Sequence, residues 1–440
     1  MPPRPISAAK RWRLRICASV GAVLLALVVL ELVGWACVRL FGIPTKFQPQ
    51  PFQGFGQTDP VLWWTLEPNL DNEAQGVRVR TNRLGLRDAR DELPRDRPVV
   101  VCLGDSTTYG WSVEADEMYT VVAERLLAER GGPPAAVISA GVPGYTSYQC
   151  LVQFRERILP LRPTIVAVLA SNNECRARSL GDRDRGRLLA RKQALDSALG
   201  FSNFWLLLTR GPESLRRSWE LEPVPGRVAN TVDECRQNFG ELIRLARDDN
   251  VQIIVLSAPL RLRFEPNWKN YDQPAAAVAE LLRRAQQAAL DGAPIDEQLA
   301  HVEAAVRFDR HQFIGHWRLA QLYSQLGRTD DAAREFSLAR DADRHPEAAK
   351  PLYNRALAEF CESASVPFID LDHRFAASGL RDDELFLDHC HPSPAGQQLI
   401  GEAIADELTP MLSVTERPRR RSLDFGGSTR RPRTRAARPR

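Results

Sequence analysis

Lysine is scarce in this 440-residue chain: five lysines stand against 54 arginines. Arginine so dominant, beside much alanine and proline, fits GC-rich coding as well as any arginine chemistry, so no function follows from it. Close cysteine pairs are missing too. Cys17 and Cys37 belong to an apolar segment, and Cys102, Cys150, Cys175, Cys235, Cys361 and Cys390 are scattered. Six such cysteines allow 15 complete pairings, so no disulfide framework is legible and buried thiols are the simpler reading. Low complexity is absent: aromatics make up 8% of the chain and the glycines are dispersed, which excludes a collagen-like architecture. An apolar fraction of 44% excludes wholesale disorder.

Acidic residues are lacking at both ends. Residues 1–15 carry five basic side chains and no acid, and residues 416–440 carry ten arginines against Glu416 and Asp424. The net charge of +4 therefore hides a body of −9 between ends of +5 and +8. The tail 416–440, with few apolar residues, is expected to be disordered. Beside an exported body it suits anionic lipid or acidic glycan better than nucleic acid, which is not expected as a partner.

Only one apolar run is long. Ile16 to Val38 is interrupted only by Glu31. At about 1.5 Å per residue its 23 residues can cross a hydrocarbon core about 30 Å thick. Glu31 lies near the far end, where a carboxylate reaches the interface at smaller cost than at mid-bilayer. The basic flank Lys10–Arg15 precedes the run, so the N-terminus should stay cytoplasmic and the rest be exported, to a bacterial periplasm or cell surface. No clear cleavage site follows, and Trp35 spoils a lipoprotein box. Residues 16–38 therefore read as an uncleaved signal anchor.

A linker and lead-in strands are expected over 39–97, followed by a domain over 98–415. Val99–Leu103, Ala136–Ala140, Thr164–Ala170, Val251–Ser257 and Val366–Leu371 are short unbroken apolar runs, as strands buried on both faces require. Helical patterns at Met118–Arg130, Tyr148–Ile158 and Val232–Arg247 lie between them. The alternation predicts an α/β fold, a parallel sheet with helices on both faces and working residues at the carboxyl ends of its strands. Two intervals exceed simple crossovers. Residues 174–231 read as a helical cap, and residues 273–345 as an all-α insertion. There Ala320, Tyr323, Gly327, Ala332, Phe336 and Ala339 fit tetratricopeptide spacing, with Ala305 34 residues before Ala339. A protein partner could bind that insertion.

The first strand runs into Gly104-Asp105-Ser106, which puts the Ser106 hydroxyl at the start of a helix. Its own N–H there favours developing negative charge. Asp388-His389-Cys390-His391 precedes a helix over Pro394–Leu408. Asp388 and His391 lie on one turn, so the carboxylate can orient the imidazole and His391 can act as base toward Ser106. His389 points elsewhere in a regular turn. Gly144 and Asn173, after the second and third strands, can supply further donors to an oxyanion. A metal at His389, Cys390 and His391 is the competing reading, but adjacent residues share one tetrahedral ion poorly.

These four blocks, in this order, resemble the SGNH, or GDSL, hydrolase family. The resemblance implies a flavodoxin-like three-layer α/β/α fold and a Ser106–His391–Asp388 triad. It also implies an oxyanion hole from the Ser106 N–H, the Gly144 N–H and the Asn173 side chain, with no cofactor and no metal. The Asn block departs from the usual pattern: Ser171-Asn172-Asn173-Glu174 stands where Gly-x-Asn-Asp is usual. The implied activity is a serine esterase acting through an acyl-enzyme on acetyl or short acyl esters of extracytoplasmic glycans or lipids. A polysaccharide O-acyltransferase with the same triad and a non-catalytic scaffold built on the helical repeat are the alternatives.

Overall fold

The computed structural model describes residues 8–44, 48–210, 227–265, 274–344, 346 and 349–415. The arginine-rich tail and residues 211–226 of the expected cap lie outside them. The apolar run lies within helix α1 (Ala8–Leu40), long and apolar enough to cross a membrane. Five short strands follow: β1 (Pro51–Phe52), β2 (Gly56–Asp59) and β3 (Trp63–Leu66) form one antiparallel sheet. A two-stranded hairpin joins β4 (Asp71–Ala74) to β5 (Val77–Arg80).

The central sheet holds β6 (Val99–Gly104), β7 (Ala136–Gly141), β8 (Ile165–Leu169), β9 (Gln252–Leu256) and β10 (Phe368–Ile369). All its pairs are parallel, in the order β10-β9-β8-β6-β7. Numbered within the sheet this is 2-1-3-4-5, the flavodoxin-like order, and its switch point lies between β6 and β8. Every residue of β6, β7 and β8 is buried, which explains their unbroken apolar runs. Side chains alternate along β6. Val99, Val101 and Leu103 enter one core and Val100 and Cys102 the other.

The first core lies under α4 (Ser147–Gln153), α7 (Val232–Asp248) and α12 (Pro351–Ala364), and the lead-in strands add Phe55, Leu62, Leu66 and Val79 to it. The second lies under α3 (Tyr119–Glu129), α13 (Leu371–Ala377), α14 (Asp382–Leu385) and α15 (Pro394–Thr415). The result is three layers. The helix expected to reach Ile158 leaves α-geometry at Phe154 and continues as one wide π-turn. The six cysteines of the body are buried.

Between β8 and α7 the chain forms α5 (Asp182–Leu199) and α6 (Asn203–Arg210), and α6 packs against α1. Between β9 and β10 it inserts α8 (Ala276–Leu290), α9 (Ile295–Phe308), α10 (Phe313–Gln325) and α11 (Thr329–Ala342). These four helices share their own apolar core, centred on Val302, Trp317, Tyr323 and Phe336. Arg340 ties them back to the body by donating to the carbonyls of Leu262 and Phe264.

Glycine ends both β6 and β7 because the Ser106 helix crosses there in close contact. A Cβ on Gly141 would sit 2.2 Å from the Tyr109 nitrogen, and one on Gly104 would sit 2.0 Å from Thr108 Oγ1. Gly141→Ala should lower the urea unfolding free energy by about 1–3 kcal/mol, the usual cost of overpacking a fixed site. An unchanged midpoint and slope would show that the crossing relaxes freely.

Candidate active site

Ser106 is the first residue of the short helix α2 (Ser106–Tyr109), directly beyond β6. The Asp105 side chain caps this helix by accepting from the Thr107 N–H at 2.9 Å. Gly110 closes it in the left-handed region at φ 80°. A guanidinium then locks the turn: Arg87 donates to the carbonyls of Tyr109 at 2.9 Å, Gly110 at 2.6 Å and Val113 at 2.9 Å. Arg87 is buried and its guanidinium lies over the Tyr109 ring. Burial pulls its pKa down from the usual value, yet three carbonyls compensate the charge.

The opposite side of the site comes from a loop about 285 residues away in sequence. Phe386 and Pro392 form an isolated antiparallel bridge, and the Leu387 N–H donates to the His391 carbonyl at 2.8 Å. Inside this closed loop Asp388 Oδ1 accepts from the N–H groups of Cys390 at 2.9 Å and His391 at 2.8 Å. Asp388 Oδ2 lies 2.6 Å from His391 Nδ1. His391 Nε2 lies 2.8 Å from Ser106 Oγ. Burial raises the Asp388 pKa, but the bonds from the His391 ring and the two N–H groups outweigh it and hold the carboxyl well below its usual range. Gln397 of α15 joins the two halves: its Oε1 accepts from the Tyr119 N–H and its Nε2 donates to the Thr107 carbonyl.

The other two expected residues lie on the same edge of the sheet. Gly144 sits at φ 81°, and a Cβ there would meet the Trp64 ring at 3.3 Å. Trp64 donates through its ring N–H to the Pro143 carbonyl, and Tyr145 Oη donates to the Trp64 carbonyl at 2.6 Å. Asn173 Nδ2 donates to the Tyr145 carbonyl at 2.9 Å, and Asn172 Nδ2 donates to Thr107 Oγ1 at 3.3 Å. The Gly, Asn and Ser blocks are thus bonded to one another.

The departure at Glu174 acquires a structural sense. Its carboxylate accepts from the Ser147 N–H at 2.6 Å and from Asn230 Nδ2 at 2.7 Å. Asn230 Nδ2 also reaches Asp182 Oδ2 at 3.1 Å, and that oxygen accepts from the Thr146 hydroxyl at 2.6 Å. Two buried carboxyls thereby brace the residues immediately after Gly144. Ser171, where glycine is usual, points its hydroxyl toward Asn354 Oδ1 at 3.4 Å.

His389 takes no part in the chain of bonds to Ser106 and lies against Phe264, with ring centroids 5.8 Å apart. Ligand atoms of Asp388, His389 and Cys390 do come within 4.8 Å of one another. Both Asp388 oxygens, however, already accept from the loop and from His391. Trp111 stacks on the His391 ring at 5.2 Å and 17°. Neither Trp111 nor Arg87, Trp64 or Asp182 carries a local signal in the sequence, because each acts through a partner far along the chain.

Residues 102–304 match the family model described as GDSL-like Lipase/Acylhydrolase. The chain carries a GDSL-like lipase/acylhydrolase domain. It is accordingly an ester-hydrolysing enzyme. The match begins inside β6 and ends in α9, before the Asp388–His391 loop that the fold brings to Ser106. Similar solved structures include a lipase/acylhydrolase from Enterococcus faecalis, 16% identical over 71% of this chain and 96% of that one, with TM-score 0.35. A psychrotrophic esterase from a Pseudoalteromonas species is 11% identical over 72% and 98%, TM-score 0.34. An acetylxylan esterase from Geobacillus stearothermophilus is 12% identical over 71% and 94%, TM-score 0.34. No curated protein matches the chain.

The acylhydrolase domain should respond to pH through the brace behind Gly144. Burial pushes the Glu174 carboxyl up from 4.5 to about 8, against the Ser147 N–H, and Asp182 adds to the rise. A carboxyl raised on folding stabilises fully below its unfolded pKa, and that contribution is lost as pH rises through its folded pKa. The melting temperature should therefore fall between about pH 4.5 and about pH 8. Glu174→Gln should flatten that slope in differential scanning calorimetry even if its absolute melting temperature drops. An unchanged slope would assign the pH dependence elsewhere.

Proposed function

We propose that Ser106, His391 and Asp388 carry ester hydrolysis through an acyl-enzyme. His391 Nε2 takes the Ser106 hydroxyl proton as Oγ attacks the ester carbonyl carbon. The carbonyl electron pair moves to oxygen, which the N–H groups of Ser106 and Gly144 and the Asn173 side chain stabilise. The tetrahedral intermediate collapses, the C–O bond to the alcohol breaks, and His391 returns the proton to the leaving oxygen. Water repeats the sequence on the acyl-Ser106 ester and releases the acid. Asp388 holds His391 in the productive tautomer and stabilises its cation. One observation carries this reading: the unbroken Asp388–His391–Ser106 chain of 2.6 and 2.8 Å contacts.

The proposed substrates are acetyl or short acyl esters of extracytoplasmic glycans or lipids. The anchor supports this, with its basic flank preceding the apolar run as a cytoplasmic N-terminus requires. A tetratricopeptide-like role for the insertion, with a protein partner, is supported by α9 and α11, which start 34 residues apart in sequence. Ala305 and Ala339, in equivalent positions, are both fully buried.

With full-length protein in detergent, Ser106→Ala should reduce p-nitrophenyl acetate hydrolysis by about 10⁶-fold. Asp388→Asn should reduce kcat by about 10⁴-fold. Circular dichroism should show both variants folded. Wild-type turnover by folded Ser106→Ala would overturn the mechanism.

A further inference from the structure

The anchor does not leave the body as a free tether. Glu31, the one acid within the apolar run, meets the start of α6. Its carboxylate accepts from the Asn203 N–H at 2.6 Å, Asn203 Nδ2 at 2.7 Å, the Ser202 hydroxyl at 2.7 Å and the Phe204 N–H at 3.3 Å. These are the first N–H groups of α6, which have no partner inside their own helix. One turn further along α1, Gly34 lets the two backbones touch: a Cβ there would lie 2.4 Å from the Phe204 nitrogen. Val38, Ile43 and Leu206 then share a buried apolar cluster, and Arg210 donates to the Pro44 carbonyl at 3.3 Å. Helix α6 thus runs beside α1 in the same direction, outward from Glu31. Trp205 Nε1 donates to Asp196 at 2.7 Å, which makes α5 and α6 a hairpin whose turn is its innermost point.

That turn lies level with Glu31, seven residues before Val38 ends the apolar run. At about 1.5 Å per residue this is about 10 Å inside the anchor's outer boundary, the depth at which interfacial helices sit. Its surface fits that depth. Phe201 is 83% exposed and Leu208 57%, and Leu32, Trp35 and Leu40 of the adjoining α1 are exposed as well. Arg187, Arg191 and Lys192 lie two to three turns back along α5, at headgroup height. Backbone without its own helical bonds is tolerated inside a membrane where protein groups satisfy it, and Glu31 does so here.

We propose that the α5–α6 hairpin is a second, re-entrant part of the membrane anchor, whose Leu199–Asn203 turn enters the lipid leaflet on the catalytic side. The partner is the bilayer itself. Asp182, at the start of α5, bonds Thr146 two residues after Gly144, so the hairpin seats the cleft at a set orientation over the membrane. This inference rests on α1 as a membrane helix and not on the triad.

The test uses the full chain, with Cys17 and Cys37 replaced by serine, in phosphatidylcholine–phosphatidylglycerol vesicles. A fluorophore is placed in turn at V29C, F201C and L290C. A quencher carried high on the lipid chains should dim the label at 201, and aqueous iodide should reach it several-fold less than the label at 290. A label at 201 that behaves like 290 while 29 is lipid-shielded overturns the proposal, and iodide access at 29 overturns it together with the anchor reading. Docking is read separately by oxidative cross-linking of V38C to L206C. Glu31→Ala should lower the yield through a drop of about fivefold in the docked-to-undocked ratio, the change expected from losing one helix cap. Gly34→Leu should lower it likewise, and unchanged yields in both variants would refute the docking.

Discussion

Strand β6 is bonded along both edges, to β7 over six residues and to β8 over five. It is also buried on both faces, so it cannot shift by one residue without exchanging its two cores. That double constraint fixes where β6 ends, and Ser106 follows two residues later. Because β7 and β8 lie on opposite sides of β6, their outgoing loops leave a crevice at the sheet's switch point. The Gly144 and Asn173 blocks occupy those two loops.

A crevice alone does not hold a reactive geometry. The polar groups around it are buried or half-buried and each is bonded: Arg87 on three carbonyls, Gln397 between α2 and α3, Trp64 on Pro143, and Glu174 with Asp182 and Asn230 behind Thr146. Each such group costs about 1–3 kcal/mol if left unpaired in the interior. Moving one loop would strand several at once. The scaffold therefore holds its loops by the cost of breaking a polar network as well as by packing.

The two insertions are attached in different ways. The α8–α11 helices carry their own core and reach the body through a few residues near Arg340 and Asp341. The α5–α6 hairpin is bound at both ends: Asp182 and Arg183 join it to the body, and Glu31 and Gly34 join it to α1. A carboxylate that the sequence places near the end of an apolar run is thus used to start a helix.

Sequence alone determined the layers and singled out the candidate site residues. Unbroken apolar runs mark strands buried on both faces, and each of the five runs overlaps a strand of the central sheet. The edge run 366–371 keeps only two strand residues, Phe368 and Ile369, which pair with β9. Ser106, Gly144, Asn173, Asp388 and His391 were legible because each lies in a short local motif. Local pattern could not say that Glu31 meets Asn203, that Trp111 covers His391, or that Arg87 locks the turn after Ser106. Those contacts join positions tens to hundreds of residues apart, and a side chain's partner across such a distance is set by strand order and helix packing. Only the folded chain decides it.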